Sequence, residues 1–485
     1  MVSQRPNYRK WSKNVINFIV LYFNNCCVHG FRFVVETMLL LFERFLWLVL
    51  LVVSIYFCIV VCLSSVDRYY TKSTHIGVER NYHFWNTTIP SLTVCPATRL
   101  NVTYFADYCR QMGIKGSKKD TLWDFLENLA NSTYTNFQNI PENAEIDEII
   151  KEIDLKPKQY MELIYNLTYD RTYDPNERQR TRCFDGATKI HARQVLTEWG
   201  LCYLTNSELG KDYSARYFIF GKYPEPNTFE LASNTVDFMF GTYFSMDMQY
   251  TFLGFSSDAI FSFAHSAFDV MKVDASFGYA TEGVTYELTS REVISEENLE
   301  NETTVTMRKC RFYHETNLTH FPFYTRNICL QECRINLAYK ICKCIPHFYP
   351  NRISNPKRVC DYKTLRSCFP RHESYFLQLY ESDRKEESQF PCYCEQNCRD
   401  SVVTIRSAHQ MSGSKQLLGG VGTSVQVRSW PKSRLKRQVI FSMTDLLVSI
   451  GGTAGLFLGF SVLGFVEILY FFTMRLFWQI LGYKL

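Results

Sequence analysis

The 485-residue chain has no nucleophile elbow, no phosphate-binding glycine loop, no zinc-protease helix and no dinucleotide fingerprint. Nothing in it favours an enzyme. It also lacks internal repeats and long low-complexity tracts. The formal net charge is only +5, too small to suggest nucleic acid as a partner. Charge is missing locally as well. Residues 45–66 and 446–466 contain no Asp, Glu, Lys or Arg. About 20 apolar residues cover the roughly 30 Å hydrocarbon core of a bilayer, so each run is long enough to cross one. The first run is longer, and begins later, than the roughly 7–15-residue apolar core of a signal peptide. The second is followed by Glu467, Arg475 and Lys484, which a glycolipid-anchor signal would not contain.

What is present orders the chain across the bilayer. Ahead of the first run stand Arg5, Arg9, Lys10, Lys13, Arg32 and Arg44 against Glu36 and Glu43. Excess Lys and Arg marks the cytoplasmic side. Two spans then leave both termini cytoplasmic and the long loop outside. Sequons at Asn86, Asn101, Asn131, Asn166, Asn301 and Asn317 all fall in that loop. Of the 18 cysteines, Cys26 and Cys27 precede the first run and Cys58 and Cys62 lie within it. The remaining fourteen belong to the loop, densest from Cys310 to Cys398. Cys342-Lys343-Cys344 and Cys392-Tyr393-Cys394 have thiolate-ligand spacing, but a secreted loop favours disulfides.

The boundaries expected are residues 1–44 cytoplasmic, 45–66 first span, 67–438 extracellular, 439–473 second span and 474–485 cytoplasmic tail. Within the loop, residues 85–95, 303–310, 402–405 and 424–427 read as strands. Residues 238–280 read as sheet, and 122–130, 146–153 and 326–340 as helices. Cys329 and Cys333 then share one helix face. Residues 224–228, with two prolines, read as a turn. Glu142, Glu145, Asp147 and Glu148 form an acidic patch that is either solvated or proton-sensing. The basic run 432–437 reads equally as a membrane-proximal collar or a protease site. The fold class is a membrane protein with two transmembrane helices flanking a large disulfide-rich α+β ectodomain.

The second run carries the chemistry. Gly451, Gly455 and Gly459 recur every four residues, so a continuous helix puts them on one face. That face serves close helix packing or a pore whose backbone carbonyls replace an ion's water. Ser461 adds a hydroxyl. Glu467 adds a negative charge that either snorkels to the interface or favours cations. Two spans per chain do not enclose a pore, so a pore implies a symmetric oligomer.

Four landmarks together resemble the degenerin/epithelial sodium channel family over nearly the whole chain. They are His29-Gly30, residues 89–95, the cysteine order from Cys310 to Cys398, and Gly459-Phe460-Ser461 with Glu467 beyond. Residues 446–449 and the following glycines look most like the insect pickpocket branch. The resemblance implies an acid-sensing-channel-like trimer, as homomer or heteromer, in the lipid bilayer of the plasma membrane. It implies a sodium-selective, amiloride-sensitive pore of sensory type, gated mechanically or by an unknown extracellular ligand. No cofactor beyond the permeant sodium ion is implied. Gly459, Phe460 and Ser461 match the selectivity filter, His29 and Gly30 the gating motif, Val448 the degenerin site, and Tyr69 and Tyr70 the wrist aromatics. By family order the bridges are Cys310–Cys398, Cys329–Cys394, Cys333–Cys392, Cys342–Cys368 and Cys344–Cys360, with Cys95–Cys202 and Cys109–Cys183 remaining. Phe460 and Val448 depart from the family's usual small residues. On a helix Phe460 lies about 100° from Gly459. The rival readings are a non-conducting receptor or adhesion protein, and an accessory subunit.

Overall fold

The first uncharged run belongs to a single helix, Leu41–Lys72, because no glycine or proline interrupts it. It extends past the expected 45–66 at both ends. Glu43 starts it by accepting the Leu40 amide at 3.1 Å. Its apolar side chains are mostly exposed, as with Leu41, Val52 and Leu63, which suits a lipid-facing helix. The computed structural model describes residues 18–26, 28–81, 86–88, 90–168, 181–182, 192–210, 213–220, 233–235, 245–255, 259–274, 277–349, 356–379, 392–410, 421–429 and 432–480. The chain divides into two compact units. One is drawn from Met1–His75, Glu297–Arg308 and Gln438–Leu485, the other from Ile76–Glu296 and Lys309–Arg437.

In the first unit the second apolar run is not one helix. Helix Met443–Leu458 ends at Gly459, and Val462–Tyr470 begins after Ser461. The two halves are bent by 74°. This corrects the continuous helix expected over 439–473. The start is later too, since Arg434–Val439 is a strand and Ser442 caps the helix. The Ser442 hydroxyl accepts the Asp445 amide at 3.2 Å, and the Asp445 carboxylate accepts the Ser442 amide at 2.9 Å, a reciprocal cap. The Ser65 and Ser449 hydroxyls meet at 2.9 Å between the first helix and this one. Just past the end of the first helix, the Ser73 carbonyl accepts the amides of Ile440 and Phe441 at 2.9 and 3.2 Å, and Arg68 lies over the Phe441 ring. Residues 303–310, expected as a strand, instead wind into Val305–Arg308. The Thr304 carbonyl accepts the Met307 and Arg308 amides, so local turn bonds outweigh the β-branched run.

Among the described residues the second unit holds two large sheets and two two-stranded ones. In the larger, Val284–Ser295 pairs antiparallel with Asp400–Gln410 and parallel with Val421–Ser429 and Arg434–Val439. The basic run is thus an inner strand, where Arg434 pairs with Glu79. The smaller sheet orders Gly278–Ala280, Ile260–His265, Ser91–Pro96, Gly200–Thr205 and Ala192–Thr197. The strand expected over 85–95 is split. Asn86–Thr88 pairs with Ser233–Thr235 instead, and Pro90, with no amide hydrogen, precedes Ser91–Pro96. The turn expected at 224–228 lies outside the described residues.

Among the described residues, six disulfides hold this unit. Cys95–Cys202 staples neighbouring strands of the smaller sheet. Helix Arg326–Cys342, capped by Thr325, presents Cys329 and Cys333 to Cys394 and Cys392. Cys310–Cys398, Cys342–Cys368 and Cys344–Cys360 complete the set. Cys329, Cys333 and Cys394 cluster as metal ligands would, but bridged sulfurs offer no thiolate. Cys109 is buried and has no bridge among the described residues, and Cys183, its expected partner, lies outside them. The same helix carries Arg334, whose guanidinium clasps Glu198 with two hydrogen bonds. Both are almost fully buried, at 4% and 2% exposed. Tyr349 donates to Glu198, and the Tyr134 and Tyr349 hydroxyls meet at 2.6 Å.

Candidate functional site

The break in the second apolar run is made by two residues of opposite talent. Gly459 adopts φ +66°, a left-handed conformation that suits a residue without Cβ and ends helices. Its amide donates to Gly455 at 2.9 Å, and the Phe460 amide to Ala454 at 3.3 Å. Ser461 is extended, and its Oγ accepts the Gly464 amide at 3.2 Å. A serine with an oxygen on the first free amides is a strong helix starter. Gly-x-Ser is therefore a stop followed by a start. The helical-wheel position expected for Phe460 does not apply. Phe460 sits in the break itself, half-buried.

The break is braced from the N-terminal side. The His29 amide donates to the Leu458 carbonyl at 3.0 Å. The His29 ring lies so close to Gly459 that a Cβ there would overlap Nδ1, Cε1 and Cγ. Gly30, at φ +95°, turns the chain into helix Phe31–Val35. The carbonyls of Leu456 and Phe457 lie in the last turn, where helix geometry supplies no amide of its own. Glu467 is half-buried on the second half-helix. It lies near Cys26, where burial pushes the thiol up and the Glu467 charge adds to this. Phe18 and Tyr22 pack edge-on against Phe472 and Phe471. This aromatic clasp carried no sequence signal beyond abundant aromatics. The break had one, the glycine stop and serine cap, which a continuous-helix reading passed over.

The other expected residues are scattered. Val448 is 69% exposed, one position from the Ser449 that meets Ser65. Leu447, Gly451, Gly452 and Leu456 are exposed with it, so this chain leaves that strip uncovered. Tyr69 is half-buried and Tyr70 exposed, their rings 5.2 Å apart. Among the sequons, Asn166, Asn301 and Asn317 are exposed, and Asn131 is half-buried. The Asn86 side chain lies outside the described part. Asn101 is a correction: it is 4% exposed, and its Oδ1 caps a helix by accepting Thr103 and Tyr104 amides. The acidic patch is paired, Glu142 with Arg366, Asp147 with Lys363 and Glu148 with Lys118.

A second acidic pair is buried. The Asn397 amide donates to Asp269 at 2.9 Å and Asp400 at 3.4 Å. Burial pushes the Asp269 carboxyl from 3.8 up to about 7, and the Asp400 charge adds to the rise. Burial also raises Asp400, against which Arg437 acts. The other titratable groups facing the pair are Tyr213 and His265. His265 is held neutral, its pKa lowered to about 4 by burial. Because folding raises the Asp269 pKa, its stabilising contribution is fully present below about pH 4 and lost as pH rises through about 7. Thermal unfolding of the purified chain is expected a few degrees lower at about pH 8 than at about pH 5. Asp269→Asn should flatten that slope; an unchanged slope would remove Asp269 from the account.

A family model described as amiloride-sensitive sodium channel matches residues 22–471. The chain is 27% identical over 180 residues to sodium channel protein Nach of Drosophila ananassae, covering 35% of this chain and 33% of that protein. It is 26% identical over 188 residues to pickpocket protein 28 of Drosophila melanogaster, covering 35% and 30%. It is 25% identical over 166 residues to degenerin-like protein unc-105 of Caenorhabditis elegans, covering 30% and 19%. The alignments thus span about a third or less of these relatives.

Proposed function

The chain belongs to the amiloride-sensitive sodium channel family, a membrane-protein family of ion channels and not of enzymes, and from that premise we propose that it is a pickpocket-like subunit of a sodium-selective cation channel. The family needs no cofactor; sodium is the cargo. One observation carries the reading. The second span breaks at Gly459-Phe460-Ser461, and the break is braced by His29. A lone membrane anchor has no use for a helix that stops and restarts in its apolar run. A conduction path does, because a break exposes backbone carbonyls to an ion.

The remaining parts of the proposal follow from this one. The strip holding Val448, Gly451 and Gly452 is covered by like subunits, which we infer to be two, in a homo- or heterotrimer. Amiloride blocks the path they line. Both termini are cytoplasmic, and the disulfide-stapled unit is extracellular, where a ligand or mechanical load acts on the gate. Glu467 draws cations toward the inner half-helix.

Whole-cell recording tests this, with the chain expressed alone and with another subunit of the family. Ser461→Ala removes the oxygen that starts the second half-helix, a loss of about 1 kcal/mol of helix stability. It should lower the sodium-over-potassium permeability ratio severalfold, and Ser461→Thr should preserve more of it. Glu467→Gln should reduce cation conductance. If neither substitution changes currents carried with the protein at the surface, the pore reading fails and an accessory role stands in its place. Surface protein that passes no current in any combination would favour a non-conducting receptor.

A further inference from the structure

Helix Leu41–Lys72 carries two thiols that conduction does not require. Cys58 is 7% exposed and Cys62 half-buried, and neither is bridged among the described residues. They stand four residues apart, so the helix sets them one above the other, with Cβ atoms roughly 5–6 Å apart. The two thiols interact. Their flank is not the open side of the helix. Leu51 and Cys58 are its buried residues, and Ser65, seven residues beyond Cys58, meets Ser449 at 2.9 Å. Residues spaced by seven share a face, so Cys58 belongs to the seam toward helix Met443–Leu458 and Cys62 to its margin. Phe57, Ile59 and Leu63 beside them are exposed and apolar. An apolar reagent therefore meets Cys62 first and finds Cys58 one turn away.

Two sulfurs are too few for structural zinc, which takes four ligands. Among the described residues no His, Asp, Glu or further Cys joins them as a third ligand. The pair suits a soft centre that needs only two sulfurs. A trivalent organoarsenical is such a centre. Its arsenic–oxygen double bond breaks, two arsenic–sulfur bonds form, and the oxygen leaves as water with the two thiol protons. Nothing is oxidised or reduced, and no charge is left among apolar side chains. The second bond closes within one molecule, so the chelate outlasts an adduct held by a single thiol.

We propose that Cys58 and Cys62 form a dithiol site for soft electrophiles that bond two sulfurs, with lipophilic trivalent arsenicals as the class it takes. The probe is phenylarsine oxide, applied to the purified full-length chain in detergent. The chain is then washed with glutathione, which strips arsenic from single thiols, and digested for mass spectrometry. One arsenic per chain should remain on the peptide holding both cysteines, and 2,3-dimercaptopropanol should remove it. Cys58→Ser and Cys62→Ser should each lower the arsenic retained there at least tenfold. Cys26→Ser with Cys27→Ser, which removes the other closely spaced free pair, should leave it unchanged. Cys62→Ser with Val60→Cys keeps two thiols in the helix but puts them on opposite sides, about 200° apart, and should retain as little as Cys62→Ser. No arsenic on that peptide in the unaltered chain would overturn the site. So would retention after either single serine substitution, retention in the shifted variant, or loss with Cys26→Ser and Cys27→Ser. Those outcomes leave the pore reading untouched, since that one stands on the Ser461 and Glu467 currents.

Discussion

Gly459→Ala is expected to reduce sodium current at least tenfold while the protein still reaches the cell surface. Two costs add at this position. An L-residue with φ near +66° carries a left-handed penalty of roughly 1–2 kcal/mol. The new methyl also overlaps the His29 ring, so either the ring or the break must move. Moving the ring strains the His29 amide bond to Leu458, and closing the break straightens the helix. The two costs can be separated. His29→Gly removes the ring and keeps the amide, so Gly459→Ala combined with His29→Gly should recover part of the current lost by Gly459→Ala. Surface biotinylation alongside recording makes the comparison clean. A wild-type current from Gly459→Ala, or a double variant no better than the single one, would show that the bracing carries no weight.

Arg334→Met is expected to leave almost no folded protein at the surface. Glu198 is buried with it, and removing one member of a buried pair strands the other charge, typically at about 3–5 kcal/mol. Total stabilities are about 5–15 kcal/mol, so that loss is decisive. Arg334→Lys should also fail, since an ammonium cannot reproduce a two-pronged guanidinium contact. The informative partner is Glu198→Gln. It removes the stranded charge yet still offers Tyr349 an acceptor, so Arg334→Met with Glu198→Gln should fold better than Arg334→Met alone. Surface yield and thermal unfolding measure both. A double variant that folds worse than the single one would mean the pair matters for its geometry more than for its buried charge.

The sequence made some parts of this molecule legible and hid others for physical reasons. Helix Arg326–Cys342 was visible because its apolar spacing and its two cysteines obey the same period. The long first apolar helix was visible because nothing in it breaks a helix. The second apolar run misled because glycine at four-residue spacing serves a packed face and a helix terminus equally well. Only the three-dimensional contact with His29, hundreds of residues earlier, decides which. Residues 303–310 misled because β-branched residues favour strands only where a neighbouring strand exists to receive them. Glu198 and Arg334 are ordinary surface residues by composition, and no local pattern says that folding will bury them face to face. The same holds for Asp269, which follows strand Ile260–His265, and Asp400, which opens strand Asp400–Gln410; they meet through Asn397.

The Ser73 carbonyl, holding the amides of Ile440 and Phe441, has an architectural consequence. All of the chain from Ile76 to Arg437 except Glu297–Arg308 belongs to the other compact unit, so in sequence that unit is an insertion between the helices that flank it. The entropy of closing such a loop grows only logarithmically, about 0.6 kcal/mol for each doubling of length. The paired segments are therefore nearly indifferent to how much chain the insertion contains. Descendants of one such gene could lengthen, trim or exchange the inserted unit while the paired helices stay the same, which makes Ser73 and Ile440 natural junctions for building chimeras.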